Sequence, residues 1–493
     1  MPIDDTEFQA LKKRTRFFIQ KQENDERLRE DFLNSLLALP LTIEQRIALL
    51  AEQDKEGWTV GMTVVRYHRE TAVQQYLVHH SIILGELHQD GKDVLLALAL
   101  LMKKTATGWT LGHYIAYYES NQIVQQYIAL LIHLHQAEVS GHNIMELFKL
   151  QMDNGWTVGH LIARHHDAAT VQTYLKLLNT LLVANDWLEG VALAQDILAL
   201  FKLRTKDGWT IIYPVGCQIA RNHDVATLQV YFKLLSDLLA ADAPAQKILA
   251  LLELQTDRGW TVELQIASTC SATTVQAYLK LLNDLLTVGA PAQNILELFK
   301  LQTNDGWNVG LQIASTCGAT TVRAYLKLLN DLLTADAPVQ HILALFKLQT
   351  NDGWTVGHLI ARHHDAATVQ AYFKLLNDLL TAGAPAQNIL ELFKLQTDSG
   401  WTIGHLNAAM NSYYREIEEE IKVNQKYAST HFHGASFFSA EFTKKFSSSY
   451  PKRNPLSPKK RCSINSVDPL AQSKSESEAF LLDLKKDTHI FSL

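Results

Sequence analysis

Apolar residues three and four positions apart fill most of the chain, and short polar turns interrupt them at regular intervals. Val369, Tyr372, Phe373, Leu376, Leu379 and Leu380 fall on one face at helical spacing, which predicts a helix from Ala366 to about Thr381, capped by Asp365. A shorter helix is predicted upstream, opening after Thr355 and running through Val356-Gly357-His358-Leu359-Ile360-Ala361. A third carries Ile389, Leu392, Phe393 and Leu395, with Pro385 in its first turn, where a missing N–H costs nothing. Asn351-Asp352-Gly353, and Thr397-Asp398-Ser399-Gly400 in the next copy, turn the chain before the pattern resumes, with glycine supplying the left-handed conformation.

The pattern is periodic. Gly-Trp recurs with its indole at Trp58, Trp109, Trp156, Trp209, Trp260, Trp307, Trp354 and Trp401, at steps of 51, 47, 53, 51, 47, 47 and 47 residues. A period of this size marks an array in which each unit buries its faces against its neighbours. The expected fold is all-α, an α-solenoid of about eight three-helix repeats of about 47 residues. Extra residues near Gly85–Gly91, Trp187–Gly190 and Ile211–Pro214 account for the longer steps and are expected in loops. Gly155–Lys176 and Gly353–Lys374 differ at two positions, so sameness among copies partly reflects recent duplication. The organisation expected is a helical cap and partial repeat over 1–56, the array over 57–410, a capping helix over 411–427, and a disordered tail over 428–493.

Composition narrows the class. Hydrophobic residues make up 47% and charged residues 19%, the balance of a folded chain, and 11 Pro and 23 Gly are too few for a turn-rich β fold. The net charge of −6 argues against a nucleic-acid partner, although ten Lys/Arg stand against six Asp/Glu from Ala428 onward. Met1–Asp5 lacks the basic start of a signal peptide, and no apolar run is long enough to span a bilayer. Four cysteines are too sparse for a disulfide scaffold. Cys270 and Cys317 occupy equivalent positions on helices expected about 8–10 Å apart, beyond disulfide reach.

The eight tryptophans are read as a structural wedge, since each removes about 150–250 Å² from water when buried. The histidine near the start of the first helix, present as His113, His160, His358 and His405, is replaced by Met62, Cys217, Leu264 and Leu311 elsewhere, and a metal ligand could not be exchanged for leucine. No cofactor or metal is expected. The stretch Gly353-Trp354-Thr355-Val356-Gly357-His358-Leu359-Ile360-Ala361 resembles the ankyrin repeat, matching its Gly, Thr, His and second Ala but carrying Val-Gly in place of Pro-Leu. The unit also exceeds the ankyrin period of about 33 residues, so armadillo-type stacking is the alternative. The resemblance implies a structural hydrogen-bonding role for the histidine and a binding groove beside the first helices.

One register varies between copies on this constant frame. At the end of the first helix stand Tyr67 and His68, Tyr117 and Tyr118, His165 and His166, Asn222 and His223, Thr269, Thr316, and His363 and His364. These are the expected partner-binding residues, because variation confined to one edge of an array maps to its binding face. No phosphate loop, nucleophile elbow, His-Glu-x-x-His or paired-cysteine motif occurs.

In the tail, Lys452–Arg461 is a Pro-broken basic segment of the kind used for nuclear localisation, and Ser457-Pro458-Lys459-Lys460 resembles a proline-directed kinase site. The stretch around Glu476 and Glu478, ending on Phe491 and Leu493, resembles C-terminal signals of type IV secreted effectors of intracellular bacteria. That resemblance implies a virulence protein made in the bacterial cytoplasm and exported to bind a host protein. The expectation is a monomeric, non-enzymatic protein-binding solenoid. The alternatives are an enzyme acting on a host target through a site assembled only in three dimensions, and a structural spacer.

Overall fold

The computed structural model describes residues 4–20, 39–67, 70–183, 187–205, 219, 225–256, 258–269 and 272–428. Every described residue lies within the unit Met1–Gly434. Twenty-four helices are present among these residues, and β pairing is confined to isolated bridges such as Gln396 with Thr402. No described helix is long and apolar enough to cross a membrane.

Repeat seven shows how the sequence builds one unit. Thr355 caps the helix Val356–His363 in a reciprocal box with His358, and Asp365 caps Ala366–Thr381 by accepting the Thr368 N–H at 2.8 Å. The third helix is Ala386–Lys394, with Pro385 one position earlier as its cap. Val369, Tyr372, Phe373, Leu376, Leu379 and Leu380 are all buried, so the 3.6-residue periodicity identified the core face. Each such leucine contributes roughly 1.5–3 kcal/mol through burial.

Repeats stack like on like. Each second helix packs on the next second helix, from Glu70–Gln89 through Asn121–Gln136 and onward to Ala366–Thr381, and first helices pack on first helices wherever both are described. Ile43–Leu50 fills the third-helix position ahead of Gly57-Trp58, and Asp5–Gln20 packs beside it. Glu52 ties that first helix down through Lys12 at 3.0 Å and Arg16 at 2.7 Å.

Two insertions lie in helices rather than loops. The second helix of repeat one has 20 residues where the others have 16, and the third helix of repeat three, Trp187–Lys202, has 16 where others have seven to nine. Each addition lengthens a helix at one end, so the buried stripe of the remainder is not rotated. At the far end the eighth copy has a first helix of four residues, Ile403–Leu406, followed by Ala408–Ala428. The segment expected to begin a cap at 411 is thus continuous with the last residues of the array. Ile211–Pro214 and the tail lie outside the described residues.

Candidate functional site

The Gly-Trp turn is where successive repeats interlock. Gly353 has φ +80°, and a Cβ on it would stand 2.8 Å from the Gln396 carbonyl of the next turn, so conformation and packing both demand glycine. The Gln349 amide donates to the Gly353 carbonyl at 2.7 Å and to the Gln396 carbonyl at 3.2 Å, and Gln53, Gln151, Gln255 and Gln302 repeat this double bond. Backbone bonds run from turn to turn as well, from Asn351 N to Asp305 O and from Asp398 N to Asp352 O.

The histidine of the first helix belongs to the same frame. His358 Nδ1 lies 2.7 Å from Thr355 Oγ1, and its Nε2 donates to the Trp401 carbonyl at 3.0 Å. His113 reaches the Trp156 carbonyl in the same way at 3.3 Å, and burial pushes its pKa down to about 3, which keeps the ring neutral. The tryptophans are less uniform. Trp156 is 1% exposed, Trp58, Trp109, Trp260, Trp307 and Trp354 are half-buried, and Trp401, which no further repeat follows, is 49% exposed. Trp209 lies outside the described residues.

The variable register separates into two groups. In the first, the side chain fastens one repeat to the one before: His166 Nε2 donates to the Ala116 carbonyl at 2.8 Å, Thr316 Oγ1 to Ala267 O at 2.8 Å, and His364 Nε2 to Ala314 O at 2.8 Å. Asn407 makes the corresponding bond to Ala361 O at 3.4 Å. Different residue types thus satisfy the same carbonyl at the end of a helix, where it would otherwise lack a partner. The donor comes from different registers, ten residues after the tryptophan for His166 and His364, nine for Thr316 and six for Asn407, so no single variable position marks this structural job.

The second group faces outward. In repeats one to three, rings and cations make one continuous strip. The buried Tyr114 underlies it between Trp58 and Trp109, with centroids 4.9 and 4.8 Å away, and Tyr67 lies 6.0 Å from Trp58. Tyr117 and Tyr118 meet edge-on at 4.6 Å, and Tyr117 touches the His165 ring at 5.1 Å. The Arg66 guanidinium lies 4.3 Å over Tyr118, and Arg164 lies 5.3 Å over Trp156. Tyr118 is 40% exposed and His165 is exposed. The surrounding protein and the neighbouring Arg164 push the His165 pKa down to about 4, so its ring is a neutral platform near pH 7. Repeat seven has a sparser version, with Arg362 4.9 Å over Trp354 and His363 exposed beside it.

Of the variable register named from sequence, Tyr67, Tyr117, Tyr118 and His165 fall on this strip, Arg66 and Arg164 stand directly before that register's named residues, and Tyr114 carried no sequence signal of its place. The signal for the arginines was present: Arg66, Arg164 and Arg362 each stand eight residues after a Gly-Trp tryptophan. His68, Asn222 and His223, the Thr269 side chain, and Glu476, Glu478, Phe491 and Leu493 lie outside the described residues.

Other sites offer less chemistry. His142, Glu146 and Asp196 bring ligand atoms within 4.8 Å of one another, but Lys149 already sits on Glu146 at 2.8 Å and Asp196 at 2.5 Å. An ammonium therefore holds the place a metal ion would take. A depression of about 320 Å³ beside Phe393, Gln396, Thr402, His405, Asn411 and Tyr414 lies at the end of the array. No protein-family model matches the chain, and no curated protein is detectably similar to it.

Proposed function

We propose that the protein is a non-enzymatic binding scaffold that takes a protein partner along the edge formed by its Gly-Trp turns and first helices. The observation that carries this reading is the strip of repeats one to three, above all Tyr118, an exposed ring with the Arg66 guanidinium laid over it. Partly exposed aromatic side chains and arginine are the residue types that dominate protein-binding hot spots. The frame beneath holds them still through paired glutamines, capping histidines and close-packed glycines, so little ordering entropy is lost on binding.

The partner, in this reading, is a host-cell protein, and the chain is a secreted effector of an intracellular bacterium. Tail composition supports that part. A photo-crosslinking amino acid at position 118 of the full chain, compared with one at Lys327 on a second helix, tests the binding edge. A discrete adduct from position 118 alone is expected, and equal labelling from both positions would remove the assignment. Deleting Ser473–Leu493 tests export, since translocation into host cells at the full-length rate would end the effector reading.

A further inference from the structure

The array ends on a face that interior repeats cover. A Cβ at Gly57, Gly108, Gly259, Gly306 or Gly353 would stand 2.6–3.0 Å from a carbonyl oxygen of the next turn, whereas one at Gly400 would meet nothing within 4 Å. Three side-chain donors that bind the next repeat elsewhere have no such neighbour here. Lys347 pairs with Glu391 of the following repeat at 2.8 Å, and Lys149 with Asp196 at 2.5 Å. Lys394 occupies the same place, seven residues before its tryptophan, and makes no ion pair among the described residues. The Gln349 amide donates to the Gln396 carbonyl at 3.2 Å, and His358 Nε2 to the Trp401 carbonyl at 3.0 Å. The Gln396 amide and His405 Nε2 find no acceptor among the described residues. His405 is a donor there too, since the Thr402 N–H donates to Nδ1 at 3.1 Å and leaves the proton on Nε2.

Lys394, Gln396 and His405 line one depression of about 320 Å³, together with Phe393 and Tyr414. Lys394 is the one ammonium in that lining, and no carboxylate stands there. Asp398 lies outside the lining, and Glu391 is already taken by Lys347, which holds its pKa below the usual carboxylate range. We propose that this end of the array is a second docking site, separate from the strip, which takes an acidic, turn-forming segment of a partner protein. Its carboxylate pairs with Lys394, and two of its backbone carbonyls accept from Gln396 and His405. One repeat earlier the equivalent donors meet three different residues, Glu391, Gln396 and Trp401, so a peptide matches the set and a lone anion does not. Trp401, 49% exposed with its ring 6.1 Å from that of His405, offers an apolar face beside the donors. A second copy of the chain fits less well. Asp5–Gln20 packs against its leading first helix, Val60–Tyr67, and Ala48 stands ten residues before Trp58, where Glu391 stands before Trp401.

The test uses the full chain and a fluorescent twelve-residue peptide copying Glu391–Thr402, the segment that fills this place one repeat earlier. Companion peptides carry glutamine or lysine in place of the glutamate. Saturable binding of the glutamate peptide is expected, weakened about tenfold by Lys394→Gln and by His405→Leu and unchanged by Lys327→Ala. Leucine already stands at the histidine's place in Leu264 and Leu311, and circular dichroism checks that each variant is folded. Lys394→Glu should reverse the preference, taking the lysine peptide over the glutamate one. Equal binding of the glutamate and glutamine peptides by the unaltered chain would overturn the proposal, as would binding that neither Lys394→Gln nor His405→Leu weakens. Displacement by inorganic phosphate at the peptide's own concentration would mean a simple anion site. Concentration-dependent dimers lost in Lys394→Gln would mean that a second copy is the occupant. Either outcome overturns the assignment, as does the absence of saturable binding. Crosslinking from position 118 reports on the other edge and should be unaffected by Lys394→Gln, so the two assignments fail separately.

Discussion

The Tyr174 hydroxyl oxygen stands 2.6 Å from where a Cβ on Gly159 would be, and the Tyr174 ring is fully buried with no room to withdraw. The same pairing joins Gly61 to Tyr76, Gly112 to Tyr127, Gly310 to Tyr325 and Gly357 to Tyr372. Gly159→Ala is therefore expected to destabilise by about 1–3 kcal/mol through overpacking. Gly190→Ala should do the opposite. A Cβ there meets nothing closer than the Leu182 carbonyl at 3.8 Å, within the helix Trp187–Lys202, and removing a helical glycine gains roughly 0.5–1 kcal/mol. Urea midpoints moving in opposite directions check both.

Repeat five breaks the glycine rule with Glu263. Its side chain is fully buried, and neither carboxyl oxygen finds a well-formed hydrogen bond among the described residues. Burial pushes its pKa up to about 8, its own backbone N–H and Thr261 partly offset the rise, Glu253 adds a smaller increment, and Tyr278 faces it with a buried hydroxyl. The fold holds the carboxyl protonated, whereas the unfolded chain ionises it near 4.5. Stability should thus fall as pH rises from about 4.5 to about 8, by on the order of a few kcal/mol. Glu263→Gly restores the glycine of the other copies and should raise the urea midpoint at pH 8 while leaving it nearly unchanged at pH 4.5.

The two adjacent histidines of repeat seven should separate cleanly. His364→Ala leaves the Ala314 carbonyl without its partner, at a cost of about 1–3 kcal/mol, and should not change crosslinking from position 118. His363 is exposed, and replacing it should move stability by no more than about 0.5 kcal/mol. Equal effects from the two substitutions would show that the inter-repeat bond contributes nothing.

These histidines also mark the limit of what sequence can say. Helix order, caps and the core face of the described repeats were legible because each follows from local pattern: an apolar stripe, a Thr or Asp cap, a glycine at positive φ. Which of two neighbouring variable residues points inward was not, because His165 and His166 differ only in whether a helix has just ended, and that decides which one meets the Ala116 carbonyl. Arg66 recurs in register with Arg164 and Arg362, but its place over Tyr118 is a contact between repeats that no pattern within one repeat announces. The length of the second helix in repeat one escaped too, since adding about one turn at a helix end looks like a loop insertion in sequence but disturbs no buried face.

The buried histidines oppose Glu263 in the pH dependence of stability. Burial depresses the pKa of His80 to about 4 and of His113 to about 3, and lowers that of His358. These rings are neutral in the fold, while the unfolded chain takes up their protons below about 6.5. Their contribution is present above that value and is lost as pH falls through the interval down to about 3–4. Glu263 acts in the other direction, its penalty growing from about 4.5 to about 8. Below about pH 6.5 the three histidines outweigh the single carboxyl, and above it Glu263 alone acts, so the stability maximum lies near pH 6.5, below the neutral optimum expected if Glu263 were absent. Urea midpoints from pH 4 to 9 check this, with Glu263→Gly expected to extend the plateau upward. His113→Leu, the residue type at Leu264 and Leu311, should soften the acid limb while losing the bond to the Trp156 carbonyl. A wild-type profile flat from pH 5 to 8 would mean that water reaches the Glu263 carboxylate inside the stack.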